Sequence, residues 1–142
     1  MNHVGSSVNL HVVKDGKLLL MRRVSQRWMD GKLQVPGGKV EPGESPAAAV
    51  CREAREELGI EITTADITHL ATVAVKDGGT EYFAVQFRLL RPDVFSFRSM
   101  EPEKCSELVW ADPAALPEDT IELFKAVVGE INRGRSYLQV GY

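Results

Sequence analysis

Three glutamates in a short acidic segment are the residues best placed to do chemistry. Glu53 lies three positions before Glu56 and four before Glu57, within "CREAREELGI". In a helix these spacings put all three carboxylates on one side, where like charges destabilise the helix. A hard divalent cation such as Mg²⁺ relieves this repulsion, because it binds a few carboxylates together with water and substrate phosphates. The spacing predicts a metal site, and a solvated acidic face is the alternative.

The residues before the acidic segment favour a bound phosphate. Gly37, Gly38 and Gly43 allow tight turns and a close approach of the backbone to a ligand. The same loop leads into the N-terminus of a predicted helix, where anions are stabilised, and Lys39 adds a positive charge there. A phosphate held beside a carboxylate-bound metal would form a site for phosphoryl chemistry.

A helix is required to present the carboxylates. Ser45 is a suitable N-cap, Pro46 suits the first helical position and Gly59 suits the position after the last turn. We therefore predict a helix from Pro46 to Leu58. Its apolar face lies about 120° from the acidic face and consists of Ala47, Val50, Cys51, Ala54 and Leu58.

Strands and a second helix make up the remaining elements. A hairpin with Asp15-Gly16 as its turn joins "VNLHVV" to "LLLMRR", and a longer hairpin joins "ITHLATVAVK" to "EYFAVQFRLL". Residues 24–33 are predicted to form a loop, and Pro36 with the two glycines after it should end the strand that follows. Short strands are predicted at Val94–Phe97 and "ELVWAD", before a closing amphipathic helix within residues 117–134.

A single globular domain fits both these elements and the composition. The chain has 142 residues, of which 44% are hydrophobic and 26% are charged, as in ordinary soluble domains. A mixed β-sheet packed between two helices would bury both apolar stripes. We therefore predict an α/β (α+β) fold in one domain spanning residues 1–142.

Charge and cysteine content narrow the class of protein. The chain has a net charge of −3, and residues 39–61 account for all of it, with six glutamates against three basic residues. The rest of the chain is therefore balanced in charge, and no broad basic face that could bind nucleic acid is expected. No apolar run is long enough to predict a membrane span, and the N-terminus lacks the pattern of a signal peptide. Cys51 and Cys105 lack metal-binding spacing. A reduced cytoplasmic protein is the simpler prediction, and a single disulfide stays open.

The acidic segment and the loop before it resemble the Nudix box. Gly38, five residues, Glu44, seven residues and then "REAREELGI" match that pattern at every fixed position, with Ala54 small where a bulkier residue is frequent. Residues 22–44, "RRVSQRWMDGKLQVPGGKVEPGE", resemble the MutT-type branch of nucleotide pyrophosphohydrolases. The predicted order of elements is similar to that of the Nudix α/β/α sandwich, with the mixed sheet between helices.

The resemblance implies hydrolysis of a nucleoside diphosphate linked to another group, with Mg²⁺ or Mn²⁺ as cofactor. It implies that Glu56 and Glu57 bind the metal, and that Glu53 is either a ligand or the base that orients the attacking water. A backbone carbonyl of Gly37 or Gly38 is a further candidate ligand.

Other residues of the box are expected to support this site. Arg52 lies four residues before Glu56 and should orient that carboxylate, while Glu44 should steady the loop or reach the metal through water. Many relatives recruit one more acid from a later loop. Glu101 is the first candidate here and Glu103 the second, with Glu107 also available; exposed loop charges are the alternative for each.

The nucleotide should be bound outside the box. Trp28 could stack on a base or ribose, whereas His11 is equally explained as a satisfied buried histidine, and Trp110 on an alternating strand is expected in the core. The candidate contacts are Asn9, His11, Arg23, Trp28, Gly37, Gly38, Lys39, Phe83 and Asp119.

An ordinary or oxidised (d)NTP, cleaved to the monophosphate and pyrophosphate, is the expected substrate. The alternatives are ADP-ribose or a nucleotide sugar, and a non-catalytic Nudix-fold module that senses a nucleotide. The sequence is compatible with a monomer or a homodimer acting on a small molecule, without nucleic-acid or membrane partners.

Overall fold

The computed structural model describes residues 4–142. Residues 1–3, which belong to the predicted domain, lie outside this range. Within this range the chain forms nine strands and two α-helices. In chain order they are β1 (Gly5–His11), β2 (Val13–Lys14), β3 (Lys17–Arg23), β4 (Leu33–Gln34), β5 (Gly37–Lys39), α1 (Pro46–Leu58), β6 (Ile67–Asp77), β7 (Thr80–Leu89), β8 (Cys105–Ala111), α2 (Glu122–Asn132) and β9 (Tyr137–Val140).

The strands form two sheets. The larger sheet is mixed and has the order β5-β1-β7-β6-β9, with β1 parallel to β7 and β6 parallel to β9. The second sheet is antiparallel and has β3 at its centre, paired with β2, β4 and β8. The predicted α/β class with a mixed sheet and two helices is confirmed, and the second sheet is an addition that the sequence pattern did not predict.

Helix α1 begins and ends where the sequence predicted. The Ser45 hydroxyl accepts a hydrogen bond from the Ala48 amide, and Gly59 adopts the left-handed conformation with φ 70°. The apolar face packs on one side of the mixed sheet, where Val50 and Leu58 are fully buried. This packing leaves the acidic side of α1 facing β5 and the cleft.

Helix α2 covers the opposite side of the molecule and contacts both sheets. Phe124 and Val128 pack against Leu18 and Leu20 of the second sheet, while Val127 packs against the mixed sheet. Among residues 4–142 no helix combines the length and apolar character needed to cross a membrane. Cys51 and Cys105 are both free thiols in the described part of the chain.

The first predicted hairpin is only half correct. Its turn is confirmed, since Asp15 and Gly16 have φ values of 51° and 75°, as a tight two-residue turn requires. The strand before it, however, divides between the sheets: Gly5–His11 pairs with β5 and β7, and only Val13–Lys14 pairs with β3. The end of β1 is buried, so its backbone N–H and C=O groups need partners, and β5 and β7 supply them on its two edges.

One further strand prediction is half correct and another is wrong. Strand β4 ends at Gln34, just before Pro36, as predicted, but Gly37 and Gly38 then begin a new strand, β5, and pair with Asn9 and Val8. Residues 94–97 are not a strand, because Pro92–Val94 forms a 3-10 turn. The two phenylalanines after this turn pack on the core beneath α1 instead of pairing with a sheet.

The end of the chain also differs from the prediction. Strand β9 extends the mixed sheet after α2, although the pattern had predicted no element after the closing helix. Trp110 is 40% exposed rather than in the core. Its ring packs edge-to-face on Phe97, with 5.8 Å between centroids.

Candidate active site

Arg52 organises the acidic side of α1. Its Nε and Nη2 donate to the two carboxylate oxygens of Glu44 at 2.8 and 3.0 Å. Its Nη1 donates to Glu53 at 2.9 Å and to Glu56 at 3.1 Å, and Nη2 also donates to the Lys39 carbonyl at 3.0 Å. The predicted contact with Glu56 is present, and Arg52 additionally holds Glu53 and the loop before α1.

The pairing of Glu44 with Arg52 explains the role of that loop residue. The guanidinium of Arg52, helped by the Glu41 amide, lowers the pKa of Glu44 to about 2. Glu44 therefore stays ionised and acts as the anchor between the loop and the helix. Glu44 thus links Arg52 to the Glu41 amide, and its role in steadying the loop stays a prediction.

Glu57 is the most unusual carboxyl in the site. It is 8% exposed, and its Oε1 has no hydrogen-bond partner among the residues described. Burial raises the pKa of Glu57 and the neighbouring Glu53 carboxylate raises it further, while the Gly37 amide acts in the opposite direction. A cation beside these two carboxylates would remove both the repulsion and the unsatisfied oxygen.

The two glycines of β5 let that strand lie close to the carboxylates. A Cβ atom on Gly38 would overlap the Glu53 carboxylate, with Oε2 only 2.9 Å away. A Cβ on Gly37 would lie 2.6 Å from Nδ2 of Asn9. Glycine is therefore required here for close approach: at Gly38 to the Glu53 side chain, and at Gly37 to the Val8 carbonyl as well as to Asn9. Of the three glycines in this loop, Gly43 is the one with positive φ, at 79°.

A cavity of about 510 Å³ opens over these groups and is called the acidic cavity below. It is lined by the box residues Arg52, Glu53, Glu56 and Glu57, by Arg23, Gln34 and Gly37, and by Glu41, Glu101 and Lys104 among others. Among residues 4–142, no group of three or more His, Cys, Asp and Glu side chains is arranged to hold a metal ion by itself. The oxygen donors present fit a hard cation that keeps water and phosphate ligands.

Glu101 reaches the acidic cavity because α1 holds the segment before it. The amides of Arg98 and Met100 donate to the carbonyls of Leu58 and Glu57 at 3.2 and 3.0 Å. Glu101 lies next to Lys104, with 3.4 Å between Nζ and the carboxylate. Glu103 is exposed and does not line the cavity.

A larger cavity of about 720 Å³ shares Arg23, Gln34 and Gly37 with the acidic cavity and is called the adjoining cavity. The Arg23 guanidinium lies 4.8 Å from the centre of the Trp28 ring and donates to Gln34 Oε1 at 2.9 Å. Its other lining residues include Asn9, Gly38, Lys39, Tyr82 and Phe124. Arg23 thus lies between the acidic cavity and the partly apolar adjoining cavity.

Not all of the predicted substrate residues lie in these cavities. Phe83 is 44% exposed and lines neither, because Tyr82 and Ala84 on either side of it face the adjoining cavity. Asp119 pairs with Arg22 at 2.6 Å, outside both cavities. Glu107 pairs with the same Arg22, also at 2.6 Å.

Sequence reasoning missed several residues of the cleft. Gln34, Tyr82 and Lys104 line the cavities without belonging to any recognised pattern. The alternation of β7 could have shown that Tyr82 and Phe83 lie on opposite faces of the strand. It could not show which of these faces lines the cleft. His11 is buried and bonded to Gln86 at 2.7 Å, as the reading of a satisfied histidine expected.

An α/β sandwich with an acidic helix at its cleft is the class of protein that these features define. The NUDIX domain model matches residues 3–129, and the chain belongs to the NUDIX family. The crystal structure of the MutT NUDIX hydrolase from Burkholderia pseudomallei superposes with a TM-score of 0.78 at 28% identity, covering 90% of this chain and 98% of that one.

Two curated relatives match over shorter segments. The CTP pyrophosphohydrolase of Escherichia coli is 49% identical over 55 residues, which are 39% of this chain and 41% of that protein. The 8-oxo-dGTP diphosphatase of the same organism is 45% identical over 47 residues, or 33% of this chain and 36% of that protein. The chain therefore aligns with well under half the length of each of these relatives.

Proposed function

We propose that this protein is a divalent-metal-dependent pyrophosphohydrolase that cleaves an ordinary or modified nucleoside triphosphate to a monophosphate and pyrophosphate. The observation that carries the proposal is Glu57, a buried carboxyl with an unpartnered oxygen beside Glu53. A buried, unpaired polar oxygen is costly, and a bound cation is the simplest way to offset that cost. The adjoining cavity supports the nucleotide part of the proposal, because it opens directly from the same cleft.

Glu57, Glu56 and Glu53 would hold the ion, with Glu101 and a carbonyl of Gly37 or Gly38 as further donors. When bound, Mg²⁺ or Mn²⁺ neutralises phosphate oxygens and lowers the pKa of an attacking water. The acidic cavity supplies the oxygen donors that these hard cations prefer. The chain's own contribution is to keep these donors in place and to orient the phosphates against them.

Arg52 would position the carboxylates during the reaction. Its contacts hold Glu53 and Glu56 at fixed places on one turn of α1. Glu53 would then orient the attacking water or accept its proton, from a position fixed by Arg52 on one side and by Gly38 on the other. Removing a reacting water's proton at a held carboxylate is ordinary general-base catalysis.

The basic residues of the cleft would bind the phosphates, and the adjoining cavity would bind the nucleoside. Arg23 and Lys104 line the acidic cavity, and Lys39 lines the adjoining one. Trp28, 41% exposed at the mouth, offers a ring face for a base or ribose. The names of the two bacterial relatives, which specify CTP and 8-oxo-dGTP, support a nucleoside triphosphate as the first substrate class to test.

A substrate screen tests the proposal directly. Purified protein with Mg²⁺ should release pyrophosphate from at least one ordinary or oxidised (d)NTP, and EDTA or Glu57→Gln should abolish the release. Cleavage of ADP-ribose or a nucleotide sugar alone would replace the substrate class while retaining the metal site. Folded protein that binds nucleotides, as thermal shifts would show, but cleaves none of them would indicate a sensing module and refute the proposal.

A further inference from the structure

Three buried polar side chains lie on β1 and β7, beside β5 in the mixed sheet, and no step of the proposed hydrolysis uses them, although Asn9 also lines the adjoining cavity. Asn9, His11 and Gln86 are 6%, 4% and 1% exposed and are called the buried polar network. Asn9 in β1 is paired with Gln86 of β7 on one side and with Gly37 of β5 on the other. Buried polar groups are tolerated when they satisfy one another's hydrogen bonds, and these do so.

The hydrogen bonds of the network run in one direction. Asn9 Nδ2 donates to the carbonyls of Val35 at 3.2 Å and Pro36 at 3.5 Å. Asn9 Oδ1 accepts from Gln86 Nε2 at 2.9 Å, so Gln86 Oε1 must accept from His11 Nε2, 2.7 Å away. Burial lowers the pKa of His11 to about 4, and the ring is neutral at physiological pH with its proton on Nε2.

The carbonyls at the end of this network mark the point where the backbone passes from one sheet to the other. Leu33–Gln34 pairs in the second sheet, and Gly37–Lys39 pairs in the mixed sheet. Pro36 between them has no N–H to donate to a ladder. Its carbonyl accepts from the Leu10 amide at 2.8 Å as well as from Asn9. This crossing sets how the two sheets face each other at the cleft, because Gln34 and Gly37 line both cavities.

Packing alone does not require polar side chains at this depth. Replacing all partners of a buried hydrogen-bonded group by apolar atoms of the same shape can be neutral or stabilising. Apolar contacts are non-directional, whereas the Asn9 amide defines one position for the crossing. Its side chain also occupies the space beside Gly37, where a Cβ would lie 2.6 Å from Nδ2.

Building on the proposed function, we propose that Asn9, Gln86 and His11 are positioning residues that fix the backbone of Gly37–Lys39 against Glu53 and Glu57 and so set the affinity for the divalent ion. They act through the carbonyls of residues 35 and 36. A small shift of β5 would alter both carboxylates, because Gly38 touches Glu53 and the Gly37 amide faces Glu57. Removing partners behind a metal site weakens binding or activity by about 10- to 100-fold.

Four variants separate positioning from simple stability. Gln86→Met nearly keeps the size of the side chain but has no hydrogen atom to donate to Asn9. His11→Leu removes the last donor, and His11→Gln restores an N–H at nearly the position of Nε2. Val73→Ala deletes buried apolar atoms from β6 of the same sheet, away from β5, and serves as the control for lost stability.

The measurements are the thermal midpoint, the ¹H–¹⁵N resonances of Gly37–Lys39 in metal-free protein, and the Mn²⁺ affinity by calorimetry without nucleotide. Gln86→Met and His11→Leu should shift these resonances and weaken Mn²⁺ binding by about 10- to 100-fold. His11→Gln should behave like the wild type. Val73→Ala should lower the midpoint without moving the resonances or the affinity.

Unshifted resonances and unchanged Mn²⁺ affinity in folded Gln86→Met protein would overturn the positioning role. If Gln86→Met does not fold, the contrast between His11→Leu and His11→Gln decides the question in the same way. The proposed function fails separately, if the wild type binds no Mn²⁺ and cleaves no nucleotide. In that case the resonances of Gly37–Lys39 in the metal-free variants still show whether the network positions β5. Resonances that do not shift would overturn the positioning role too.

Discussion

The acidic cavity and the adjoining cavity share one cleft, but they are assembled over very different distances along the chain. The side-chain hydrogen bonds of Arg52 reach residues no more than 13 positions away. The adjoining cavity combines residues of β1, β4, β5, β7 and α2, and the network behind it joins side chains 77 positions apart. The carboxylate cluster around Arg52 depends on one helix and its preceding loop, although Arg23, Gln34, Glu101 and Lys104 complete the lining of the acidic cavity. The adjoining cavity depends on the packing of both sheets.

The difference teaches which properties of the cleft can vary independently. Charge pairing around Arg52 holds the carboxylates of α1 and its loop together, whereas the place of β5 against them depends, in the proposal above, on the buried polar network. The adjoining cavity is shaped by distant side chains, so a change in either sheet alters what it accepts. We expect the grouping of the carboxylates to be sensitive mainly to substitutions in the box, and metal affinity and substrate preference to be sensitive also to substitutions in the sheets.

Glu57→Gln should have the largest effect, because it breaks the local site. We expect kcat/KM to fall by about 100-fold or more, since a charged donor to the metal is lost. Steady-state kinetics over a range of Mg²⁺ concentrations would check this. Activity within a few-fold of the wild type at saturating Mg²⁺ would contradict the role of Glu57 in the site.

The same variant should be more stable than the wild type in EDTA at neutral pH. Burial and the Glu53 carboxylate raise the pKa of Glu57 above its ordinary value of 4.5. The unfolded chain therefore binds fewer protons than the folded one above that pH, and wild-type stability falls as pH rises from about 4.5. The amide escapes this loss, so the gain in thermal midpoint should be present at about pH 7.5 and vanish near pH 4.

Gly38→Ala should have the next largest effect, because it pushes β5 away from α1. The added Cβ would overlap the Glu53 carboxylate, which should lower activity by about 10- to 100-fold and cost about 1–3 kcal/mol in the free energy of unfolding. Gly129→Ala in α2 is the matched control, since a Cβ there meets nothing within 4 Å. Equal effects of the two substitutions would show that β5 is not held against the carboxylate.

Trp28→Ala and Phe83→Ala compare two exposed aromatic residues, one in the adjoining cavity and one outside it. Trp28→Ala should raise KM by several-fold to about tenfold, because a stacking face worth about 1 kcal/mol is lost. Phe83→Ala should leave KM unchanged, and neither should lower kcat strongly. A larger KM effect at Phe83 would mean that the nucleoside binds on the opposite face of β7.

The same contrast explains how much could be predicted from the sequence. The limits of α1, its cap at Ser45 and the grouping of Glu53, Glu56 and Glu57 follow from spacing within one segment, because an α-helix has a fixed period. The pairing of Arg52 with Glu56 follows from the same period. These features needed no knowledge of the tertiary fold.

What could not be predicted depends on contacts between distant strands. The pattern of β1 gave no sign that it would leave β3 and pair with β5 and β7, since register is decided by which faces become buried. A strand does end before Pro36, as expected, but Gly37 and Gly38 begin a new one because they pair with β1, and this distant pairing is invisible in the local pattern. The polar network of Gln86 is equally hidden, because an amide in a strand is usually exposed.

The smallest effect is expected at Glu44, and it sharpens the comparison by testing how the local site is held. Arg52 and the Glu41 amide lower the pKa of Glu44 to about 2. The folded state then releases this proton more readily than the unfolded state, so the pair's contribution to stability is present above about pH 4.5 and is lost as pH falls towards 2. Glu44→Gln should lower the thermal midpoint at pH 6 and make little difference near pH 2.5. A deficit of the same size at both pH values would show that Glu44 holds the loop through its shape and hydrogen bonds rather than through its charge.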